Sequence, residues 1–110
     1  MASEGSFNEL IHAPMRLRIC GLLRPIDRMD FAVLRDTLKV SDPTLSKHLK
    51  LLSDAGFVKM KKAASSTRTD SRRITWLSLT PAGERAFDEH LRALQAIGGG
   101  FIQSRTHQPS

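Results

Sequence analysis

Four polar side chains, Thr44, Ser46, Lys47 and Lys50, fall within seven residues of one another in the segment SDPTLSKHLKLLSDAG, residues 41–56. Their chemistry is hydrogen bonding and cationic attraction. Lysine donates to phosphate oxygens or to the O6 and N7 acceptors of guanine, threonine offers a methyl group to thymine, and serine bonds base or backbone. A second group, Arg68, Arg72 and Arg73, follows in a polar stretch. Its guanidinium groups keep their charge and pair two oxygens at once, which suits phosphate or a narrow minor groove.

The charge balance supports the same chemistry. The chain of 110 residues carries 17 Lys and Arg against 11 Asp and Glu, a net charge of +6. Between Lys39 and Arg73 there are nine basic and three acidic residues, so that all of the excess lies in this third of the chain and the remainder balances. A face that meets a polyanion is expected to look like this.

The elements that must position these groups follow from periodicity. Leu45, Leu49 and Leu52 recur at helical spacing and predict a helix over 42–55, with Leu51 extending its buried face and the polar group outside it. Ser41 or Asp42 opens it, Pro43 suits its first turn and Gly56 ends it. Phe31, Leu34 and Leu38 predict a preceding helix opened by Asp30, only Lys39 to Ser41 intervening. Two short helices joined by a tight turn make a helix-turn-helix. His48 lies between the buried and exposed faces and reads as a packed, hydrogen-bonded residue rather than a base reader, and Asp42 as part of the cap.

LRDTLKVSDPTLSKHLKLLSDAGFVKM, followed by RRITWLSLTPAGERAF, resembles the winged-helix transcriptional regulators of the MarR and ArsR type, in their small single-domain form, over roughly Pro14 to Leu94. One departure stands out: the turn between the two helices carries Lys39 where the family usually has glycine. The resemblance implies a short edge strand near residues 27–30 and a homodimer built from the first and last helices.

Elsewhere, Phe7 to Ile11 forms a turn of helix or a docking arm. Pro14 opens a first core helix on Met15, Ile19, Leu22 and Leu23, with Arg16 and Arg18 outside and the end before Pro25. After Gly56 the period drops to two: Val58 and Met60, then Thr75, Leu77 and Leu79, predict two strands around a loop over Ala63 to Ser71, disordered at its tip. Thr80 and Pro81 start a last helix that runs to Ile97 and stops at Gly98 to Gly100, with the tail 101–110 and residues 1–6 loose. Its apolar face is wide, and the dimer contacts expected are Leu10, Ile11, Phe87, Leu91, Leu94 and Ile97.

The expected fold is therefore α+β, mainly α: a single winged helix-turn-helix domain over 1–110, core 14–97, with a two- to three-stranded β wing and a C-terminal helix. The expected DNA contacts are Ser41, Pro43, Thr44, Ser46, Lys47, Lys50, Arg68, Arg72 and Arg73. The function expected is sequence-specific binding of double-stranded DNA at an inverted repeat, by a homodimeric repressor with helix 42–55 in the major groove and the 63–73 wing on minor groove or phosphates. An unknown small-molecule effector fits this reading. The alternative is a winged helix used as a protein adaptor or a nonspecific architectural binder. No catalytic constellation is found: His12, His48, His90 and His107 are scattered, and no phosphate loop or nucleophile elbow occurs. No cofactor and no metal are expected: Cys20 is alone, and of the ligand set that the resemblance to ArsR-type sensors implies on the last helix, Asp88 and His90 match while Phe101 and Ser104 stand where the other ligands would fall. Cys20 reads as a buried, inert thiol. The absence of a long apolar run points to a cytoplasmic protein without a membrane segment.

Overall fold

The computed structural model describes residues 5–64 and 73–106. A single helical turn, α1 (Glu9–His12), is opened by Asn8, whose side chain accepts from the Ile11 N–H. The segment Phe7 to Ile11 fits both of its readings: the helical turn is found at Glu9–His12, and Phe7 and Asn8 before it dock on His90. Ala13 breaks the helix, and Pro14 starts α2 (Pro14–Leu23). The two-residue strand β1 (Met29–Asp30) runs straight into α3 (Phe31–Leu38), with Asp30 accepting from the Ala32 N–H at 2.8 Å. After the turn come α4 (Asp42–Asp54), strands β2 (Val58–Ala64) and β3 (Arg73–Leu79), and α5 (Pro81–Thr106). The sheet is antiparallel in the order β1-β3-β2, with Met29 opposite Leu77, Val58 opposite Leu79 and Lys61 opposite Trp76. Among the described residues, five helices and a three-stranded sheet make a mainly helical winged helix, as expected.

The helices carry one apolar face each and share one core. Leu45, Leu49 and Leu52 of α4 are fully buried against Ile19, Cys20 and Leu23 of α2, Leu34 and Leu38 of α3, and Leu77 of β3. Ile11 and Phe87 close the core from α1 and α5. Burial of a leucine side chain is worth about 1.5–3 kcal/mol, so the three leucines of α4 fix that helix to its scaffold.

Both helices of the central motif end in the same way. At the end of α4, Gly56 takes φ 82° and the Phe57 N–H reaches back to the Leu52 carbonyl. At the end of α3, the Val40 N–H reaches back to the Arg35 carbonyl, and the residue in the left-handed position is Lys39, at φ 58° and ψ 48°. This is the six-to-one bond of a Schellman cap. The lysine keeps the geometry that a glycine adopts more cheaply.

Several expectations are corrected. Leu51 is exposed: it lies two residues from Leu49, about 200° round the helix, and cannot share its face. Met60, although in register with Val58, is also exposed. Ala63 and Ala64 belong to β2, because the ladder continues to the Ala64 and Arg73 pair. The glycines at 98–100 do not stop α5, which continues to Thr106. A glycine in a helix costs about 1 kcal/mol but does not bar it, and a stop needs the left-handed turn seen at Gly56. Residues 101–106, expected as loose tail, are therefore helical. The loop tip, with Arg68 and Arg72, and the chain ends 1–4 and 107–110 lie outside the described residues.

Candidate nucleic-acid interface

Ser41 caps α4, its hydroxyl accepting from the Thr44 N–H at 3.3 Å and donating to the Thr44 hydroxyl at 3.0 Å. Asp42 is not the cap. Its carboxylate pairs with Arg35 at 2.9 Å, and Arg35 also holds Asp36 at 2.9 Å. An acid at the tip of the helix that would otherwise repel phosphate is thus balanced from α3. Beyond the cap, Pro43, Thr44, Ser46, Lys47 and Lys50 are all exposed on α4. Lys50 pairs with Asp54 at 3.1 Å, one turn on. Such an exposed pair is worth about 1 kcal/mol at most and yields readily to a phosphate. Lys47 takes part in no ion pair among the described residues.

The wing lies beside this helix. Arg73 is exposed at the base of the hairpin, where it opens β3. Between wing and helix an open cleft of about 350 Å³ is lined by Ser46 and Leu49 of α4, Phe31 of α3, and Met60, Lys62 and Thr75 of the strands. The other face of the hairpin is basic as well: Lys59 and Lys61 are exposed, and the Arg28 guanidinium lies 3.9 Å from the centre of the Trp76 ring. No spacing in the sequence reveals that stack, because it depends on the register that brings residues near 29 beside residue 77.

His48 is packed and hydrogen-bonded, as expected, but its partner is a surprise. Arg16 Nη1 lies 3.0 Å from His48 Nδ1, and Arg16 Nε donates to the Leu10 carbonyl at 2.6 Å. Arg16 therefore points inward. The signal was present: Arg16, Ile19, Cys20 and Leu23 stand at i, i+3, i+4 and i+7, on the buried face of α2. Burial, then the positive charges of Arg16 and Lys47, push the His48 pKa below the ordinary histidine value.

Of the residues expected at a dimer contact, Ile11 and Phe87 are spent in the chain's own core. Leu10 and Leu94 are half-buried, and Leu91 and Ile97 are exposed at 42% and 75%. Asp88 and His90 are also committed to protein partners. Arg24 clasps Asp88 with two bonds of 2.9 Å, and His90 is fully buried, accepting at Nδ1 from the Asn8 N–H at 2.9 Å and meeting His12 at 3.2 Å. No cluster of three metal-ligating side chains occurs among the described residues. Cys20 is buried, and burial pushes its thiol up to about 11.

The sequence model of the winged helix DNA-binding domain matches residues 15–97, the span of α2 through most of α5. The chain belongs to that family. Among relatives of this winged helix domain is an uncharacterized protein of Methanocaldococcus jannaschii, 29% identical over 83 residues that cover 76% of this chain and 86% of that protein. Among solved structures, a transcriptional regulator homologue from Pyrococcus horikoshii superposes with a TM-score of 0.76 at 24% identity, over 86% of this chain and 89% of that one. NadR in complex with 4-hydroxyphenylacetate gives a TM-score of 0.66 at 26% identity, over 92% and 67%. A MarR family transcriptional regulator from Silicibacter pomeroyi gives 0.62 at 25% identity, over 90% and 63%. The fold of this winged helix domain is thus one that a MarR family regulator shares, and the family is one of DNA-binding domains.

Proposed function

We propose that this winged helix protein is a MarR-type transcriptional regulator that binds double-stranded DNA sequence-specifically as a homodimer and acts as a repressor. α4 enters the major groove, which admits one helix, and presents Ser41, Pro43, Thr44, Ser46, Lys47 and Lys50. The wing of residues 63–73, with Arg68, Arg72 and Arg73, lies on the minor groove or the phosphates. The observation that carries this reading is the division of α4 itself. Its three leucines are fully buried while its hydroxyls and lysines are exposed, in the part of the chain that holds the entire excess of positive charge.

The dimer is supported by α5, whose exposed Leu91 and Ile97 lie along its middle with half-buried Leu94 between them. A two-fold pair would space its reading helices about 34 Å apart and favour an inverted repeat. Occupying such a site at a promoter excludes polymerase. NadR is seen with a small aromatic acid, and an effector of similar kind fits the same proposal.

Selection from a randomised duplex pool, followed by salt titration of selected and random DNA, tests it. Enrichment of an inverted repeat bound several hundred-fold above random duplex supports the proposal. Uniform binding that falls steeply with salt means a nonspecific binder, and no binding at low salt means that this face serves another partner.

A further inference from the structure

Arg16 joins three elements. It stands on α2, its Nε donates to the Leu10 carbonyl in α1, and its Nη1 reaches Nδ1 of His48 in α4. A guanidinium only donates, so Nδ1 is the acceptor and the proton of the neutral imidazole sits on Nε2. The cations acting on this imidazole are Arg16 from α2 and Lys47 from its own helix, and both oppose a second proton on the ring. Along α4, His48 follows Lys47 directly and lies one turn after Thr44, so the ring borders the exposed side of the helix.

We infer that Arg16 is a positioning residue for base reading. Its fork fixes the rotation of α4 against α1 and holds His48 as an uncharged Nε2–H donor, and so sets where Thr44, Ser46 and Lys47 are presented. The inference rests on the proposal that α4 reads bases. Two acceptors at a fixed angle call for a guanidinium; a lysine ammonium carries the same charge on one point and does not hold both. Arg16 is engaged with protein groups and half-buried, which separates its role from that of a phosphate contact.

The test compares wild type, Arg16→Lys and Arg16→Gln on the selected duplex and on random duplex, each over a range of salt, with folding checked by thermal melts. The expected result for both variants is a fall of about tenfold in the ratio of selected to random affinity, comparable to the loss of roughly one base-pair match. Random-duplex affinity and its salt slope stay at the wild-type values. Nitrogen-15 spectra of histidine-labelled protein supply a second readout: His48 shows a single Nε2–H tautomer in wild type and a mixture in Arg16→Gln. Equal loss on both DNAs with a shallower salt slope makes Arg16 a phosphate contact and overturns the inference. So does an unchanged ratio in Arg16→Gln, or a proton on Nδ1 in wild type. Failure of wild type itself to discriminate overturns the regulator proposal and this inference with it, whereas a discriminating wild type with indifferent variants overturns this inference alone.

Discussion

Replacing Lys39 by glycine is expected to stabilise the fold. Lys39 is exposed, makes no ion pair among the described residues, and holds φ 58° and ψ 48° so that the Val40 N–H can close the Schellman bond on Arg35. The left-handed conformation costs a side-chain-bearing residue about 1–2 kcal/mol. Glycine removes that cost but gives back about 0.4–1 kcal/mol through the greater freedom of its unfolded chain. The difference leaves a net gain of about 0.5–1 kcal/mol, which for a domain of this length raises Tm by about 2–5 °C. Gly56 at the end of α4, with the same bond and φ 82°, shows that the glycine form of this cap is native to the fold. Thermal and urea melts at one fixed protomer concentration measure the effect, with Lys39→Ala as the control that removes charge and keeps the backbone strain. The reasoning is refuted by a Lys39→Gly protein no more stable than wild type. It is refuted equally by a Lys39→Ala protein that gains as much, since the benefit would then come from losing a charge.

Two glycine substitutions should differ in sign. A Cβ at Gly83 would collide with the Phe57 carbonyl, which as backbone cannot swing aside, so Gly83→Ala is expected to cost about 1–3 kcal/mol. At Gly21 it would meet only the Phe87 ring edge at 3.7 Å, so Gly21→Ala in α2 should gain about 0.5–1 kcal/mol; urea midpoints of both variants check the pair. Leu49→Ala removes a fully buried side chain beneath the cleft and should cost about 2–5 kcal/mol by the same melts. Stability should also fall on acidification. Burial, and then the neighbouring His12, hold His90 below the ordinary histidine pKa, so the unfolded chain binds the proton first. The stabilisation is complete above about pH 6.5 and declines as pH drops from there toward the depressed native value. Melts between pH 7.5 and 5.5 should show this slope, and His90→Gln should flatten it in part, the remainder belonging to His48.

Much of the helix-turn-helix was legible in the sequence because local signals agreed: leucines at helical spacing, Asp30 and Ser41 at the caps, Pro43 in the first turn and Gly56 at the end. The errors share one origin, the assignment of a residue by its type rather than by its place. The charge of Arg16 argues for the outside, whereas its position matches the buried face of α2. The apolar side chain of Leu51 argues for the inside, whereas it lies across the helix from Leu49. Three glycines at 98–100 suggest a stop, whereas nothing there turns the chain left-handed. Of the dimer contacts, the spacing of Ile11 and Phe87 showed that they are apolar but not which surface claims them. The stack of Arg28 on Trp76 was out of reach, since it arises only when β1 pairs with β3. Arg68 and Arg72, expected as DNA contacts, lie outside the described residues.

The junction at the start of α5 has a mechanical side. The Thr80 N–H donates to the Phe57 carbonyl at 2.9 Å, the Thr80 hydroxyl donates to the Gly56 carbonyl at 2.6 Å, and Gly83 rests against Phe57 without room for a methyl group. These contacts pin the foot of a 26-residue helix to the chain just past the end of α4. Such a helix is about 39 Å long and works as a lever whose fulcrum is that junction. A tilt of about 5° at the foot swings the far end by about 3 Å over that length. In the opposite direction, a displacement of a few ångströms at the tip reaches α4 as only a slight rotation. The leverage would favour fine control: any movement at the distal end would be geared down into a small change of pitch in the exposed lysines and hydroxyls of α4.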